Sequence, residues 1–438
     1  MLDIKFIREN PDKIKQACQK KKVKCDLDRI LELDKTRREL LSEIEELKAG
    51  QNKISGQGKP SSKRGKGDQK EIETARELKE KIRNRQPELA GVEEELNQLM
   101  LIVPNLISDD TPEGKDESDN QVLRKFKEPT KFDFKPKDHM ELGVSLGLID
   151  TAKAAKISGA RFNYLFGGAV LMQFALIQFV LETLTDRKII KKLAGQVGNP
   201  FDQPFLPVIP PVIAKAEIMK KMDRFDPIED RYYLEQDDAL LIGSAEHTMG
   251  PLHLNEIIDE KDLPIRYIGY STAFRREAGS YGKDTAGILR RHQFDKAEIE
   301  TFIQPEYGLV EQDLIVAIQE YLVQQLDIPY QAVALCSGDM GKPDFRQIDL
   351  ECWMPGQNKY RETHTSDYMT DYQSRRLNTR VRRKDGRIEF VHMNDATALA
   401  IGRILIAILE NYQQADGSVA VPEVLKKYLP DGMEKIGK

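Results

Sequence analysis

Residues 27–54 read LDRILELDKTRRELLSEIEELKAGQNKI. Leu27, Ile30, Leu33, Leu40, Ile44, Leu47 and Ile54 recur in alternating steps of three and four, with Arg37 and Gln51 as the polar members of the series. That spacing is the seam of a coiled-coil helix rather than the stripe of a core helix. A second series of the same kind follows at Ala75, Leu78, Ile82, Arg85, Leu89, Val92, Leu96 and Leu99, with Pro87 as a defect expected to kink it. Between them lies SGQGKPSSKRGKGD, Ser55 to Asp68, whose glycines at 56, 58, 65 and 67 and whose Pro60 cannot continue either helix. The two helices are therefore expected to fold back over residues 27–101 as an antiparallel hairpin, an arm of roughly 40 Å at about 1.5 Å per residue. Two helices bury only one seam, so such an arm leaves its outer faces charged. Its pattern alone is equally that of an oligomerisation coil.

The charge distribution follows the same division. The 438 residues carry a formal net charge of -5, but residues 1–103 hold 24 Lys and Arg against 20 Asp and Glu, leaving 43 against 52 for the rest. The basic excess of the first part suggests a polyanionic partner. It concentrates at the turn, where Lys48, Lys53, Lys59, Lys63, Arg64, Lys66 and Lys70 face a single acid, Asp68. A solvated basic loop would carry the same composition.

Residues 104–129 read as a linker, with Pro104, Pro112, Gly114 and Pro129 and the acidic run KDESDN. Beyond it, helix-like apolar runs (Ala169 to Leu184, Leu309 to Leu326, Ala398 to Tyr412) alternate with strand-like runs at Pro264 to Thr272, Ala332 to Cys336, Arg346 to Trp353 and Arg387 to Val391. They are not spaced as β-α-β repeats, so an α+β body with an antiparallel sheet is expected over residues 130–438. Four cysteines, Cys18, Cys25, Cys336 and Cys352, are too sparse for a disulfide framework and imply reduced thiols. The charged opening MLDIKFIREN does not suit a signal peptide and the longest apolar stretch, Ala169 to Leu181, is short for a membrane span. The expectation is a cytoplasmic protein with no membrane partner.

Common catalytic signatures are missing: there is no G-x-x-x-x-G-K-[ST] loop, G-x-G-x-x-G turn, H-E-x-x-H helix or G-x-S-x-G elbow. His247 and His253 are six apart, which does not suit a zinc site on one helix face. What remains is acids and arginines in strand-like, glycine-punctuated settings. In AFRREAGSYG, Arg275 and Glu277 would share a face if the segment is a strand. Arg290, Phe294 and Glu298 then recur at steps of four. An arginine fork, an aromatic face and a carboxylate suit a phosphate, a planar base and an amine, although surface ion pairs would use the same residue types.

The whole chain resembles the seryl-tRNA synthetases of class II. The resemblance is carried by MLDIKFIREN, GKDESDN, KDHMELG, AFRREAGSYG, HQFDKAE, CSGDMG, QSRRL and ENYQQADGSVAVPEVL, in that order. It implies a homodimer, a catalytic domain built on a six- or seven-stranded antiparallel sheet with flanking helices, and an arm that grips the long variable arm of tRNA(Ser). Lys53, Lys59, Lys63, Arg64 and Lys66 would then meet the tRNA. The selenocysteine tRNA is a second candidate.

The resemblance also assigns roles. Gly159 to Ala214, with Pro211, resembles the first class II motif, the dimer interface. Phe274-Arg275-Arg276-Glu277 resembles the second, with Arg275 on the ATP α-phosphate and the serine carboxylate, Glu277 at the adenine amino group and Phe294 stacked on the ring. Ala398 to Arg403 resembles the third, with Arg403 at the γ-phosphate. Glu362 resembles the acid that holds Mg²⁺ against ATP. Ser244-Ala245-Glu246, Glu298 and Thr397 match the serine contacts. A site that hydrogen-bonds a substrate hydroxyl can reject the analogue lacking it by about 10⁴-fold or more. The sequence departs from the family after Glu362, where a run of small residues is replaced by Thr363-His364-Thr365-Ser366-Asp367-Tyr368, of which Thr363, His364 and Thr365 would border the nucleotide. Ser244 stands where threonine is usual.

Overall fold

The computed structural model describes residues 1–56, 69–278 and 287–437. They form two compact units, Met1–Pro104 and Asn105–Lys438.

In the first unit, short helices α1 (Ile4–Glu9) and α2 (Pro11–Lys20) precede the long helices α3 (Leu27–Gly56) and α4 (Gln69–Ile102). Leu27, Ile30, Leu33, Leu40 and Ile44 of α3 are buried, as are Ile82, Leu96 and Met100 of α4. The polar members of the seam cross it: Arg37 Nε lies 3.3 Å from Glu93, and Arg85 Nε lies 3.1 Å from Glu43. Arg29 reaches Glu95 at 2.8 Å, so partners early in α3 pair late in α4 and the helices are antiparallel. Helix α3 runs to Gly56, two residues into the stretch whose composition is expected to end it. Pro87 lies inside α4 without ending it. Of the basic turn residues, Lys53 is exposed on α3, while Lys59, Lys63, Arg64 and Lys66 lie outside the described residues.

The second unit is built on an eight-stranded sheet. Its strands are β1 (Gln121–Phe126), β2 (Leu206–Val208), β3 (Ile265–Phe274), β4 (Gln293–Ile303), β5 (Tyr330–Ala334), β6 (Arg346–Met354), β7 (Lys359–Thr370) and β8 (His392–Ala400), in the order β1-β5-β6-β7-β8-β4-β3-β2. Seven of them pair antiparallel; β2 adds an eighth strand, parallel to β3. Ile388–Phe390, within one of the strand-like runs, belongs instead to a separate three-stranded patch. Residues 398–400 finish β8 rather than opening a helix.

One face of the sheet is apolar. Ile268, Ala297, Ile299, Ala332, Ile348, Leu350, Ala396 and Ala398 pack there against helices α5 (Gly168–Thr185), α6 (Gly308–Gln325) and α7 (Ile401–Asn411). Helix α5 is long and apolar enough to cross a membrane, but Met172, Leu176, Phe179, Val180 and Leu184 are buried in this core. The alternate residues of the same strands are polar and also buried: Glu298 and Glu300 on β4, Asp349 on β6, Asp367 on β7, and Asp395 and Thr397 on β8. A face of buried acids must be matched by bound cations, local arginines or protonation, and that requirement marks it as the working face.

Candidate active site

Strand β3 ends at Phe274, so Arg275 and Glu277 lie in the loop beyond it and do not share a strand face. The Arg275 backbone stays tied to the sheet: its N–H donates to the His292 carbonyl at 3.0 Å. Its Nε–H donates to the Gly243 carbonyl at 3.1 Å, and its guanidinium carbon lies 5.3 Å from the centre of the Phe294 ring. Glu277 takes a left-handed backbone, φ +54°, a costly conformation for a residue with a side chain, and it is fixed by Arg290 at 2.8 Å.

Phe294, Lys296, Glu298 and Glu300 alternate along one face of β4. Arg275, Glu277, Arg290, Phe294, Lys296, Glu362, Thr363, Thr365, Thr397 and Arg403 line one cleft at this end of the sheet. Arg403, in the first turn of α7, donates to the Glu362 carboxylate at 2.9 Å and to its carbonyl at 2.8 Å. The Glu362 carboxylate is half exposed. The surrounding walls oppose its charge, but Arg403 first and Arg275 next hold it below the usual carboxylate range. Lys296 Nζ lies 2.6 Å from Glu298 and 3.3 Å from the Thr397 hydroxyl, and Glu298 sits opposite Thr397 in the β4–β8 register. Complete burial outweighs Lys296 and, with the negative charge of Glu246, pushes Glu298 up to about 7.

The segment Ser244-Ala245-Glu246 lies over β3. It fits because residue 269, across from Glu298, is glycine: a Cβ there would lie 2.4 Å from Met249 Sδ and 3.5 Å from the Ala245 Cβ. Ser244 is buried and its hydroxyl has no partner among the described residues. Glu246 is also buried. That burial favours its neutral form, but Arg224, 2.8 Å away, prevails and holds it well below the usual range. The same guanidinium is 3.5 Å from Asp395, where burial and neighbouring Glu246 nevertheless push the carboxyl up.

The structure brings most of the sequence-derived residues together, with two exceptions. Arg276 turns away, stacking 4.7 Å over Tyr232 and donating to the Arg231 carbonyl at 2.8 Å, because successive residues leaving a strand point to opposite sides. His364 is wholly buried opposite Leu350, with Nδ1 2.9 Å from the Thr363 hydroxyl, and burial drives it down to about 3, so it packs as a neutral ring. Thr363 itself donates to the Leu350 carbonyl at 3.1 Å and borders the cleft from the wall. Pro211 is exposed, and its carbonyl accepts from Thr248 at 3.0 Å.

Sequence reasoning passed over Lys296, Arg224 and His139. Lys296 was legible as the residue between Phe294 and Glu298 on the same strand face. Arg224 carries no local motif and reaches Glu246 from a distant loop. His139 accepts from the Ile288 N–H at Nε2, 3.2 Å, and so donates from Nδ1 to Glu410 on α7 at 2.9 Å, pinning the loop end to the helix.

Residues 230–412 match the family model of the tRNA synthetase class II core domain (G, H, P, S and T), and residues 1–107 that of the seryl-tRNA synthetase N-terminal domain. The chain is 40% identical over 443 residues to the serine–tRNA ligase of Pseudothermotoga lettingae, with 100% of each covered. It is 41% identical over 435 residues to that of Dictyoglomus turgidum, with 98% of each covered. Among solved structures it is similar to seryl-tRNA synthetase from Pyrococcus horikoshii complexed with ATP, at TM-score 0.88 and 37% identity over 100% of this chain and 99% of that one. It is also similar to the cytoplasmic serine–tRNA ligase of Naegleria fowleri in complex with AMP, at TM-score 0.84 and 30% identity over 100% and 99%.

Proposed function

The chain belongs to the seryl-tRNA synthetase family and is a serine–tRNA ligase, and from this premise we propose that the cleft between β3, β4, β7 and α7 carries both steps of charging. The observation that carries this reading is Arg275. With Nε anchored on Gly243, its terminal nitrogens are left to meet oxygens of two reactants at once, between the Ser244 to Glu246 segment and Phe294.

In the first step a serine carboxylate oxygen attacks the α-phosphorus of ATP in line, and pyrophosphate leaves. No proton moves, so rate comes from alignment and from charge stabilisation by Arg275 and Arg403. Phe294 offers the adenine an aromatic face, and Glu277, held by Arg290, is set to accept from the adenine amino group. The serine ammonium and hydroxyl are met by Glu246, Glu298, Thr397 and the Ser244 hydroxyl, which has no partner among the described residues. In the second step the terminal adenosine hydroxyl of the tRNA attacks the seryl carbonyl and AMP departs.

Glu362 suits a Mg²⁺ ion that arrives with ATP. It is ionised and half exposed, and Mg²⁺ takes one or two protein carboxylates while phosphates and water fill its shell. When bound, the ion would neutralise phosphate charge. Arg403, now paired with Glu362, would be released towards the γ-phosphate.

The tRNA partner is tRNA(Ser), met by the arm through Lys53, Lys59, Lys63, Arg64 and Lys66; its compartment is the cytoplasm. The functional unit is a homodimer formed through residues 159–214. Exposed Phe174, Leu206, Ile209 and Ile213 in that segment support it, Ile209 being 88% exposed. Sedimentation should give twice the mass of the 50.0 kDa chain.

The experiment is pyrophosphate exchange into ATP across a panel of amino acids. Serine alone should support rapid exchange, and alanine and glycine should fall short by about 10⁴-fold. Absence of serine-dependent exchange would overturn the reading.

A further inference from the structure

Adjoining the nucleotide cleft lies a second cavity of about 180 Å³, lined by Phe162, Gln173, Arg291, Phe294, Asp295 and Gly402 among others. Arg291, Phe294, Asp295 and Gly402 border both spaces, so the two meet at Arg291 and at the first turn of α7. Arg291 is 5% exposed. One terminal nitrogen donates to the Phe162 carbonyl at a long 3.4 Å; Nε and the other terminal nitrogen have no hydrogen-bond partner among the described residues. The carboxylates nearby are committed elsewhere: Asp295 accepts from Thr272 at 2.6 Å and from Gln173 at 2.7 Å, and Glu277 holds Arg290.

A guanidinium in this position is costly unless something anionic completes it. Burial, with Arg161 nearby, lowers its pKa only to about 10, so it remains a cation at neutral pH. The first turn of α7, which has no side-chain cap, adds backbone N–H groups without partners inside the helix on the Gly402 side.

We propose that Arg291 binds the β- and γ-phosphates of ATP, and the departing pyrophosphate, where the two spaces meet. This rests on the reading of the cleft as the ATP site. It adds a phosphate contact to Arg275 and Arg403, on a residue outside the motifs that carry the family resemblance. Two free N–H groups of one planar fork suit two phosphate oxygens.

The test is titration calorimetry of ATP with Mg²⁺, pyrophosphate and AMP against the full-length protein and its Arg291→Gln variant. AMP lacks the phosphates concerned and serves as the internal control. ATP and pyrophosphate should bind about ten- to a hundredfold more weakly to the variant, with AMP unchanged. Should Arg291→Gln fail to fold, Arg291→Lys carries the same comparison, with a smaller loss expected for ATP and none for AMP. Equal weakening of ATP and AMP would mean a structural role and overturn the proposal, as would unchanged ATP binding or a loss seen only in the KM for tRNA. Loss of serine-dependent exchange in the unaltered protein would instead remove the underlying reading of the cleft.

Discussion

At Glu298 two effects oppose each other: Lys296, 2.6 Å away, favours the carboxylate, while complete burial and nearby Glu246 favour the acid. The acid gains, and the group titrates at about 7 instead of near the usual carboxyl value of about 4. On the proposed reading Glu298 meets either the ammonium or the hydroxyl of serine, and a carboxylate is the stronger acceptor for both, so lowering the pH through 7 protonates the group and should weaken serine binding. The KM for serine should therefore rise below pH 7, by up to about tenfold per unit, and stay flat above it. Glu298→Gln should abolish that pH dependence, and Lys296→Met should move its onset to higher pH. A KM unchanged between pH 8 and 6 would contradict this account. Glu246 has the opposite outcome because its partner is stronger: Arg224 keeps it ionised despite burial. Arg224→Met should strand a buried carboxylate, raise the KM for serine at least about tenfold, and leave AMP affinity unchanged. Equal loss of serine and AMP affinity would instead indicate a general collapse. Of these four residues, the glutamates were legible through the family's motifs. Lys296 was legible only through strand alternation, and Arg224 not at all, because its partnership forms across a distant loop.

The long helices were readable because each carries a single periodic seam: in α4 the residues Ala75, Leu78, Ile82, Arg85, Leu89, Val92 and Leu96 are at least partly buried while their immediate neighbours are exposed. Strand β4 does carry the alternation of a half-buried strand, Ala297 and Ile299 against Glu298 and Glu300, but its acids drew the reading to the site instead; β8 was missed because its end, residues 398–400, merges with the apolar run of α7. At Pro87 the local rule and the structure disagree, for the helix continues through a residue that cannot donate to the Arg83 carbonyl and whose ring crowds it. Pro87 is exposed, so replacing it touches no core. Pro87→Ala should stabilise α4 by about 1–3 kcal/mol, read as slower amide hydrogen exchange over residues 83–91 of the full chain. Unchanged exchange would mean that the helix has already adapted at no cost.

Across the molecule, the net charge of -5 is a poor guide to a nucleic-acid partner, whereas its distribution is informative. The basic excess lies in the unit that holds the arm, and the acidic remainder in the unit that binds an anionic nucleotide with a few local arginines. Two compact units with separate cores imply separable tasks. The cleft residues all belong to Asn105–Lys438, so serine activation should need nothing from α3 or α4. Joining residue 26 to residue 102 through a short linker should therefore leave serine-dependent pyrophosphate exchange within about twofold of the full chain while abolishing charging of tRNA(Ser). The intact chain should also lose charging efficiency steeply with added salt, since each phosphate neutralised by a lysine or arginine releases counterions on binding. Neutralising Lys53, Lys59, Lys63, Arg64 and Lys66 together should flatten that salt dependence without changing exchange. Charging that survived removal of the arm, or a salt slope unaltered by the five substitutions, would assign tRNA recognition to the catalytic unit alone.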